Sequence, residues 1–268
     1  MKKIAEIEIE KTIYRIDLNK FHDLSIPIDI DTPSPTFYDK EPLKIHHYKD
    51  EKNQIWKLED GAACNIPVIN LNIHCGATHS ECRSHITKES LYISKIIKDS
   101  FIPSILISVE PNNNIESESY HCSIKENDLI ITKMMLQKQL NSIKKNTVKA
   151  LIVRTLPNIE NKVISKNYNK DHNAFFSNEA IDYINSFGIN HLIVDLPSID
   201  KFDDGGLLGN HQIFWDLKKS GNDNTITELA YIKNTIKDGF YLASINVLNL
   251  NLDTSPSRPI IYPILKQA

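Results

Sequence analysis

The sequence predicts an α/β fold in which helices flank a mixed β-sheet core. Two apolar runs rich in β-branched residues, at 104–109 and 150–154, are typical of strands buried on both faces of a sheet. Residues 128–145 lie between these runs and carry apolar side chains at helical spacing. Strands that alternate with helices favour an α/β domain, and the patterns at both chain ends favour some antiparallel pairing.

The N-terminal part predicts strands separated by a long arm. Residues 3–17 alternate apolar and charged side chains, as a strand or hairpin does. Residues 24–43 combine four prolines with isoleucine and aromatic residues, which indicates an ordered arm. This arm carries two adjacent aromatic residues, Phe37 and Tyr38. Residues 67–73 predict a strand that runs into a segment rich in histidine and cysteine.

The C-terminal half predicts one more helix and two more strands. A helix is expected at 177–187, because Ser177 is a favourable N-cap and Gly188 ends the apolar pattern. The helix leads directly to a strand at 191–195. A last strand is expected at 239–252, where apolar and polar side chains alternate.

Length and composition narrow the class of protein. A chain of 268 residues can bury a substantial core, and we expect a single domain over residues 1–268. The net charge of −3, with acids and bases interspersed, argues against a nucleic-acid partner. We find no run apolar enough to span a membrane or to act as a secretory signal, so a cytoplasmic location is expected. Four cysteines in a chain this long do not indicate a disulfide framework.

The densest group of potential metal ligands lies at residues 74–85. Side chains of an extended segment alternate between its two faces, so the odd-numbered members would point the same way and His74 would point the other way. The odd-numbered members are Cys75, His79, Glu81 and His85. Thiolate, imidazole and carboxylate together are a competent ligand set for zinc. The alternative is a polar loop that caps the sheet without binding a metal.

A second polar group follows the predicted strand at 191–195. It contains Asp195 and Asp200, then Asp203, and His211 after a glycine-rich turn. Acidic and histidine side chains after a buried strand lie where α/β proteins place their sites. Each of these residues alone is a weak signal, because a histidine after such a turn is commonly a surface residue.

The first group resembles the signature of a known family, the cyclase-type metal-dependent hydrolases, which include bacterial kynurenine formamidase and isatin hydrolase. The usual signature of that family is His-x-Gly-Thr-His-x-Asp-x-Pro-x-His. Thr78 and His79 fall into register with its central Thr-His pair, and Glu81 and His85 match later positions. The last histidine, His85, would be a catalytic acid/base or a ligand to a second metal.

The second group extends this resemblance over most of the chain. The family's second block, Asp-x-Pro-Ser-x-Asp followed by histidine, matches residues 195–200 and His211. Glu228 fits a third point, a glutamate some way beyond that histidine. The resemblance therefore implies that His79 and Glu81 bind a metal together with His211 and Glu228. Glu228 is also a second candidate for proton transfer.

This chain differs from the family at the first ligand position of the signature. Counting back from His79 gives Cys75, and the neighbouring His74 would fit only with a one-residue bulge. We therefore prefer Cys75 as the first ligand and Zn²⁺ as the metal, since a thiolate binds zinc well and manganese poorly. Glu81 also replaces the usual aspartate, which lengthens the side chain by one methylene.

The resemblance implies that the protein opens an amide, formamide, lactam or lactone bond in a small carbonyl substrate by metal-activated water. It also implies a homodimer or homotetramer. The arm at residues 24–43, with Phe37 and Tyr38, then either covers an aromatic substrate or packs as an ordinary N-terminal segment. Two other functions stay open. One is a catalytically inactive metal- or small-molecule-binding protein on the same scaffold, which the changes at Cys75 and Glu81 would explain. The other is thiol catalysis by Cys75 with His79 or His85.

Overall fold

A mixed β-sheet forms the centre of the chain, in a computed structural model that describes residues 2–29, 33–114, 118–158, 166–169, 173–218 and 221–265. The strands of the described residues are β1 (Ile4–Ile9), β2 (Thr12–Asp17), β3 (His22–Asp23), β4 (Leu43–His47), β5 (Pro67–Leu71), β6 (His79–Cys82), β7 (Ile102–Val109), β8 (Ile130–Ile131), β9 (Ala150–Thr155), β10 (Phe175–Phe176), β11 (His191–Val194), β12 (Thr225–Glu228), β13 (Gly239–Val247) and β14 (Thr254–Pro263). The helices are α1 (Ile73–Gly76), α2 (Ile93–Ile96), α3 (Lys133–Leu140), α4 (Asn178–Phe187) and α5 (Gly209–Phe214).

The central sheet closes on itself. Its strands follow the order β13-β7-β9-β11-β12-β6-β14, and β14 pairs in turn with β13, which completes a ring of seven strands. The four strands from β7 to β12 in this order run parallel, and the other neighbours are antiparallel. The predicted mixed sheet with flanking helices is therefore confirmed. Its closure was not predicted, because it depends on pairing between distant strands.

The parallel strands bury side chains on both of their faces. One face packs under the helices, in a cluster that includes Leu151 and Val153 of β9 together with Ile181 and Ile184 of α4. The opposite face lines the interior of the ring, where Ile152 of β9 meets residues from β7, β11, β13 and β14. Burial on both faces explains why these strands are continuous apolar runs in the sequence.

The helix predicted at 177–187 is confirmed as α4. The Ser177 hydroxyl accepts a hydrogen bond from the Ala180 N–H at 3.1 Å, and Gly188 ends the helix with a φ of 84°. The helix predicted at 128–145 is shorter, because Ile130 and Ile131 form β8 and pair with β10. Thr132 then caps α3, its hydroxyl accepting from the Met135 N–H.

The two chain ends and the arm fill in the rest of the fold. Residues 3–17 form the predicted hairpin, β1 paired with β2. The strand predicted at 239–252 ends earlier, and the chain turns back as β14. In the arm, of which residues 30–32 lie outside the described part, Phe37 is buried against Leu229. Tyr38 is exposed and stacks on Phe202 with ring centroids 4.7 Å apart.

A buried histidine makes the stability of this fold depend on pH. His191 begins β11 and is 8% exposed, with Nδ1 2.8 Å from the Thr225 hydroxyl. Burial lowers the pKa of His191 to about 4, against an opposite effect of Asp99. Between about pH 6.5 and 4 the unfolded chain takes up a proton at this residue while the folded chain does not. The contribution is complete above about pH 6.5 and is lost as the pH falls through about 4.

We therefore expect the free energy of unfolding to fall by up to about 3 kcal/mol over this interval through His191 alone. His191→Gln should make the dependence of unfolding free energy on pH shallower, as measured by urea denaturation at several pH values. His46→Gln, at an exposed position in β4, is the matched control. Equal slopes for wild type and His191→Gln would contradict this assignment.

Candidate metal centre

Apart from Cys75, the predicted site residues meet at one end of the ring. β6 and β12 pair antiparallel so that His79 lies opposite Glu228. Glu228 is the last residue of β12, and the loop after β11 reaches the same end and carries Asp200. Because β11 and β12 are parallel, their carboxyl ends lie side by side, which is where α/β proteins place their sites.

His79, Glu81 and Glu228 form a first group, in which one ligand atom of each lies within 4.8 Å of the others. The Nδ1 atom of His79 is 2.9 Å from the Ala77 carbonyl oxygen, so the ring donates there and turns Nε2 towards Glu228 at 3.6 Å. Oε1 of Glu228 accepts a hydrogen bond from the Ile199 N–H. All three side chains are buried.

His211 joins this group from helix α5. Its Nε2 is 2.9 Å from Oε1 of Glu81 and 3.7 Å from Oε1 of Glu228. On the other side of the ring, Nδ1 is 2.6 Å from Oδ2 of Asp200. Asp200 also accepts hydrogen bonds from the Tyr120 hydroxyl and the Asn210 N–H, and these contacts hold the imidazole from behind.

A second group lies on the more accessible side of Glu81. Oε2 of Glu81 is 3.3 Å from Nδ1 of His74 and 3.7 Å from Nε2 of His85. The two imidazole rings are stacked, with centroids 4.2 Å apart and planes inclined by 27°. Their side chains remain 29% and 26% exposed, unlike those of the first group. Glu81 therefore stands between a buried group and a half-buried one.

The structure corrects the predicted position of Cys75. Residues 73–76 form the helical turn α1, so the alternation of an extended strand does not apply to them. Cys75 is buried, its carbonyl oxygen accepts the Phe37 N–H, and burial raises the pKa of its thiol. Among the described residues, no group of potential metal ligands includes Cys75. The expectation that Cys75 shares a face with His79 is therefore wrong, and His74 takes the place in the cluster.

The charged groups of the site shift one another's pKa values. Burial by itself would raise the pKa of Glu81, but the charges of His85 and His211 outweigh it and hold that pKa well below its usual range. Burial would lower the pKa of His211, but the carboxylates of Glu81 and Asp200 raise it well above its usual value. Contacts with Asp253 and Glu81 likewise overcome burial and raise the pKa of His74 to about 9. The cluster thus holds buried negative charge that attracts protons or cations.

Two buried atoms at the centre fit a metal ion. Within the described part of the chain, neither Nε2 of His79 nor Oε2 of Glu81 has a partner in hydrogen-bonding geometry, although both are buried. Such atoms are costly to bury without a partner. The described ion-pair partners of Glu81 and Glu228 are all histidines. Imidazole and carboxylate together suit first-row divalent cations, and without the thiolate the argument against manganese no longer holds.

Two acidic residues were not among the predicted site residues. Asp200 ends the matched block at residues 195–200, but the resemblance assigned it no role. Asp253 precedes β14 and contacts both His74 and His85 through Oδ2. No local pattern marks Asp253, because its partners lie far away in the sequence.

A third group, His121 with Asp200 and Asp204, has partners for its ligand atoms: for example, backbone N–H groups donate to Asp204 and to His121.

Comparison with known proteins identifies the family of this chain. The family described as "Putative cyclase" matches residues 22–201, and the chain belongs to that family. Kynurenine formamidase of Bacillus mycoides (strain KBAB4) is 24% identical over 213 residues, which cover 78% of this chain and 85% of that protein. The resemblance seen in the sequence is thereby confirmed. The match of the family ends before His211 and Glu228, whose place in the cluster rests on the structure.

Solved structures show the same fold. A predicted metal-dependent hydrolase from Bacillus stearothermophilus superposes with a TM-score of 0.60 at 16% identity, covering 91% of this chain and 98% of that one. Isatin hydrolase A from Labrenzia aggregata, bound to benzyl benzoate, gives a TM-score of 0.60 at 14% identity, covering 91% and 93%. In the described part of the chain, no helix has the length and apolar character needed to cross a membrane.

The assignment of His74 instead of Cys75 to the metal centre can be tested directly. We expect His74→Ala to weaken the binding of added Zn²⁺ by about tenfold or more, because the half-buried group loses one of its imidazoles. Cys75→Ala is the matched control and should bind Zn²⁺ as the wild type does. Competition titration with a chromogenic chelator measures both affinities. Weaker Zn²⁺ binding in Cys75→Ala, with unchanged binding in His74→Ala, would instead support the predicted extended segment with Cys75 as a ligand.

Proposed function

We propose that this protein is a metal-dependent hydrolase that opens an amide, formamide, lactam or lactone bond of a small carbonyl compound. The observation that carries the proposal is that two buried ligand atoms, Nε2 of His79 and Oε2 of Glu81, lack a partner in hydrogen-bonding geometry among the described residues. They lie in a chain of the putative cyclase family, and proteins similar to it are named kynurenine formamidase and isatin hydrolase. Both names describe hydrolysis of a bond between a carbonyl carbon and nitrogen.

The buried group is the proposed holder of the catalytic cation. His79, Glu81 and Glu228 would bind it, together with His211, and the half-buried pair of His74 and His85 would hold a second cation beside Glu81 or remain free for proton transfer. We propose Zn²⁺, which N/O sites bind more tightly than Mn²⁺. A bound divalent cation would lower the pKa of water towards about 7 and polarise the substrate carbonyl.

His85 is the proposed acid/base. Its side chain is 26% exposed and its Nε2 faces Glu81, so it can exchange a proton between the buried group and a substrate that enters from solvent. In this role it would accept a proton from the attacking water and give it to the departing nitrogen or oxygen. Glu228, the other candidate, is buried and already accepts a backbone N–H, which favours a ligand role.

The domain organisation, location, oligomeric state and partners of the protein also remain predictions. A single domain over residues 1–268, a cytoplasmic location and a homodimer or homotetramer follow from the sequence patterns and the resemblance. So does a small-molecule substrate without nucleic acid or membrane as partner. Thiol catalysis receives no support from the geometry, because among the described residues no group of three or more potential ligand atoms includes Cys75.

Metal analysis and a substrate panel test the function together. We expect purified protein from zinc-supplemented cells to carry about one or two zinc ions per chain and to hydrolyse at least one class among N-formyl aromatic amines, isatins and lactones. His85→Ala should lower kcat by about 10²–10⁴-fold while most of the metal remains bound. His46→Ala, at an exposed position in β4, is the control and should keep wild-type kcat.

The outcomes separate the competing functions. Protein that remains metal-free would refute the proposal. Protein that binds zinc and hydrolyses nothing in the panel would favour the inactive binding protein on this scaffold. Full activity in His85→Ala would leave a metal-dependent hydrolase but would remove His85 from its role.

A further inference from the structure

We propose that Asp253 is a positioning residue, which orients His74 and His85 together through a single carboxylate oxygen. This inference rests on the proposed function, because it assigns a role towards the metal centre. Asp253 belongs to no matched signature block and lies beyond the residues that the family matches.

The contacts of Asp253 are reciprocal to those of Glu81. Its Oδ2 atom is 3.2 Å from Nδ1 of His85 and 3.6 Å from Nε2 of His74. The opposite nitrogens of the same rings, Nε2 of His85 and Nδ1 of His74, lie 3.7 and 3.3 Å from Oε2 of Glu81. Each imidazole therefore spans the space between two carboxylates, one at the edge of the site and one at its centre.

With a cation bound beside Glu81, this arrangement would select the tautomer of each ring. A carboxylate accepts hydrogen bonds, so Asp253 favours a hydrogen on Nδ1 of His85 and on Nε2 of His74. Without a cation, the opposite nitrogens can also donate to Glu81. With a cation bound beside Glu81, the hydrogens that face Asp253 would remain, and the lone pairs on Nε2 of His85 and Nδ1 of His74 would face the cation. The two rings use different nitrogens for the same purpose, because they approach Asp253 from different segments, α1 and the 3-10 turn Arg83–His85.

The stacking of the rings makes the two orientations depend on each other. With centroids 4.2 Å apart and planes inclined by 27°, one ring limits rotation of the other. Two stacked imidazoles would repel each other if both were charged, and Asp253 offsets that repulsion from the solvent side. Loss of Asp253 would therefore free both rings at once.

The backbone of Asp253 is fixed to the strand that carries Glu81. Its carbonyl oxygen accepts the Cys82 N–H at 3.0 Å, and the next residue, Thr254, lies opposite Glu81 in the register of β14 and β6. The Thr254 hydroxyl also donates to the Ser80 carbonyl oxygen at 3.1 Å. The distance between the two carboxylates is therefore set by the sheet, as a positioning role requires.

The position suits a variant that keeps its fold. The side chain of Asp253 is 33% exposed, so truncation removes contacts at the edge of the site without opening a cavity in the core. Asp253→Ala removes the acceptor, and Asp253→Asn keeps the shape and one acceptor oxygen but removes the charge. Asn251→Ala, an exposed change in the same turn, is the matched control.

The test combines metal affinity, ring tautomers and kinetics on the zinc-loaded full chain. We expect Asp253→Ala to weaken Zn²⁺ binding and to lower kcat by about 10–100-fold each, with KM for the active panel compound nearly unchanged. Long-range ¹H–¹⁵N spectra should show His74 and His85 each leaving the tautomer of the wild type. Asp253→Asn should fall between wild type and Asp253→Ala, and Asn251→Ala should match the wild type.

The possible failures are distinguishable. Wild-type affinity, kcat and tautomers in Asp253→Ala would overturn the positioning role and leave the proposed function intact. Equal losses in Asp253→Ala and Asn251→Ala would also overturn it, since the turn and not the carboxylate would then be responsible. Wild-type protein that binds no zinc would refute the proposed function and this inference with it.

Discussion

A carboxylate that is buried in a β-sheet is unfavourable unless positive charge or hydrogen-bond donors surround it, and Glu81 is such a group. It lies in β6 between β12 and β14 and is almost fully buried. Imidazoles reach it from three different segments, α1, the 3-10 turn after β6, and α5. The backbone conformation of each segment is therefore constrained, because each must place an imidazole beside the same carboxylate. On the side away from Glu81, Asp200 contacts His211, and Asp253 contacts His74 and His85.

The sequence was most informative where the structure depends on neighbours along the chain. The apolar runs that became β7 and β9, and the cap residues Ser177 and Gly188 of α4, are local signals and were sufficient. His79 and Glu81 were also placed correctly on one side, because residues 79–82 are extended. The closure of the ring was beyond such reasoning, since the pairing of β13 with β14 and of β6 with β12 depends on contacts between remote segments.

The errors at the site have the same origin. The prediction that odd-numbered residues share one face failed at Cys75, because the chain is not extended just before β6. In a helical turn, the side chains of adjacent residues point about 100° apart. That rotation brings His74, not Cys75, towards Glu81. Asp253 had no signal at all, because an aspartate before a terminal strand has no distinguishing spacing. Only the register of β14 against β6 brings it beside the two histidines.

The residues of the centre are graded by their access to solvent. His79, Glu81, His211 and Glu228 are buried, whereas His74, His85 and Asp253 are partly exposed on one side of them. A small molecule that reaches this centre from solvent would therefore meet His74, His85 and Asp253 before the buried residues. If substrate and product of the proposed reaction both pass these partly exposed residues, slow release of the product would inhibit the next turnover.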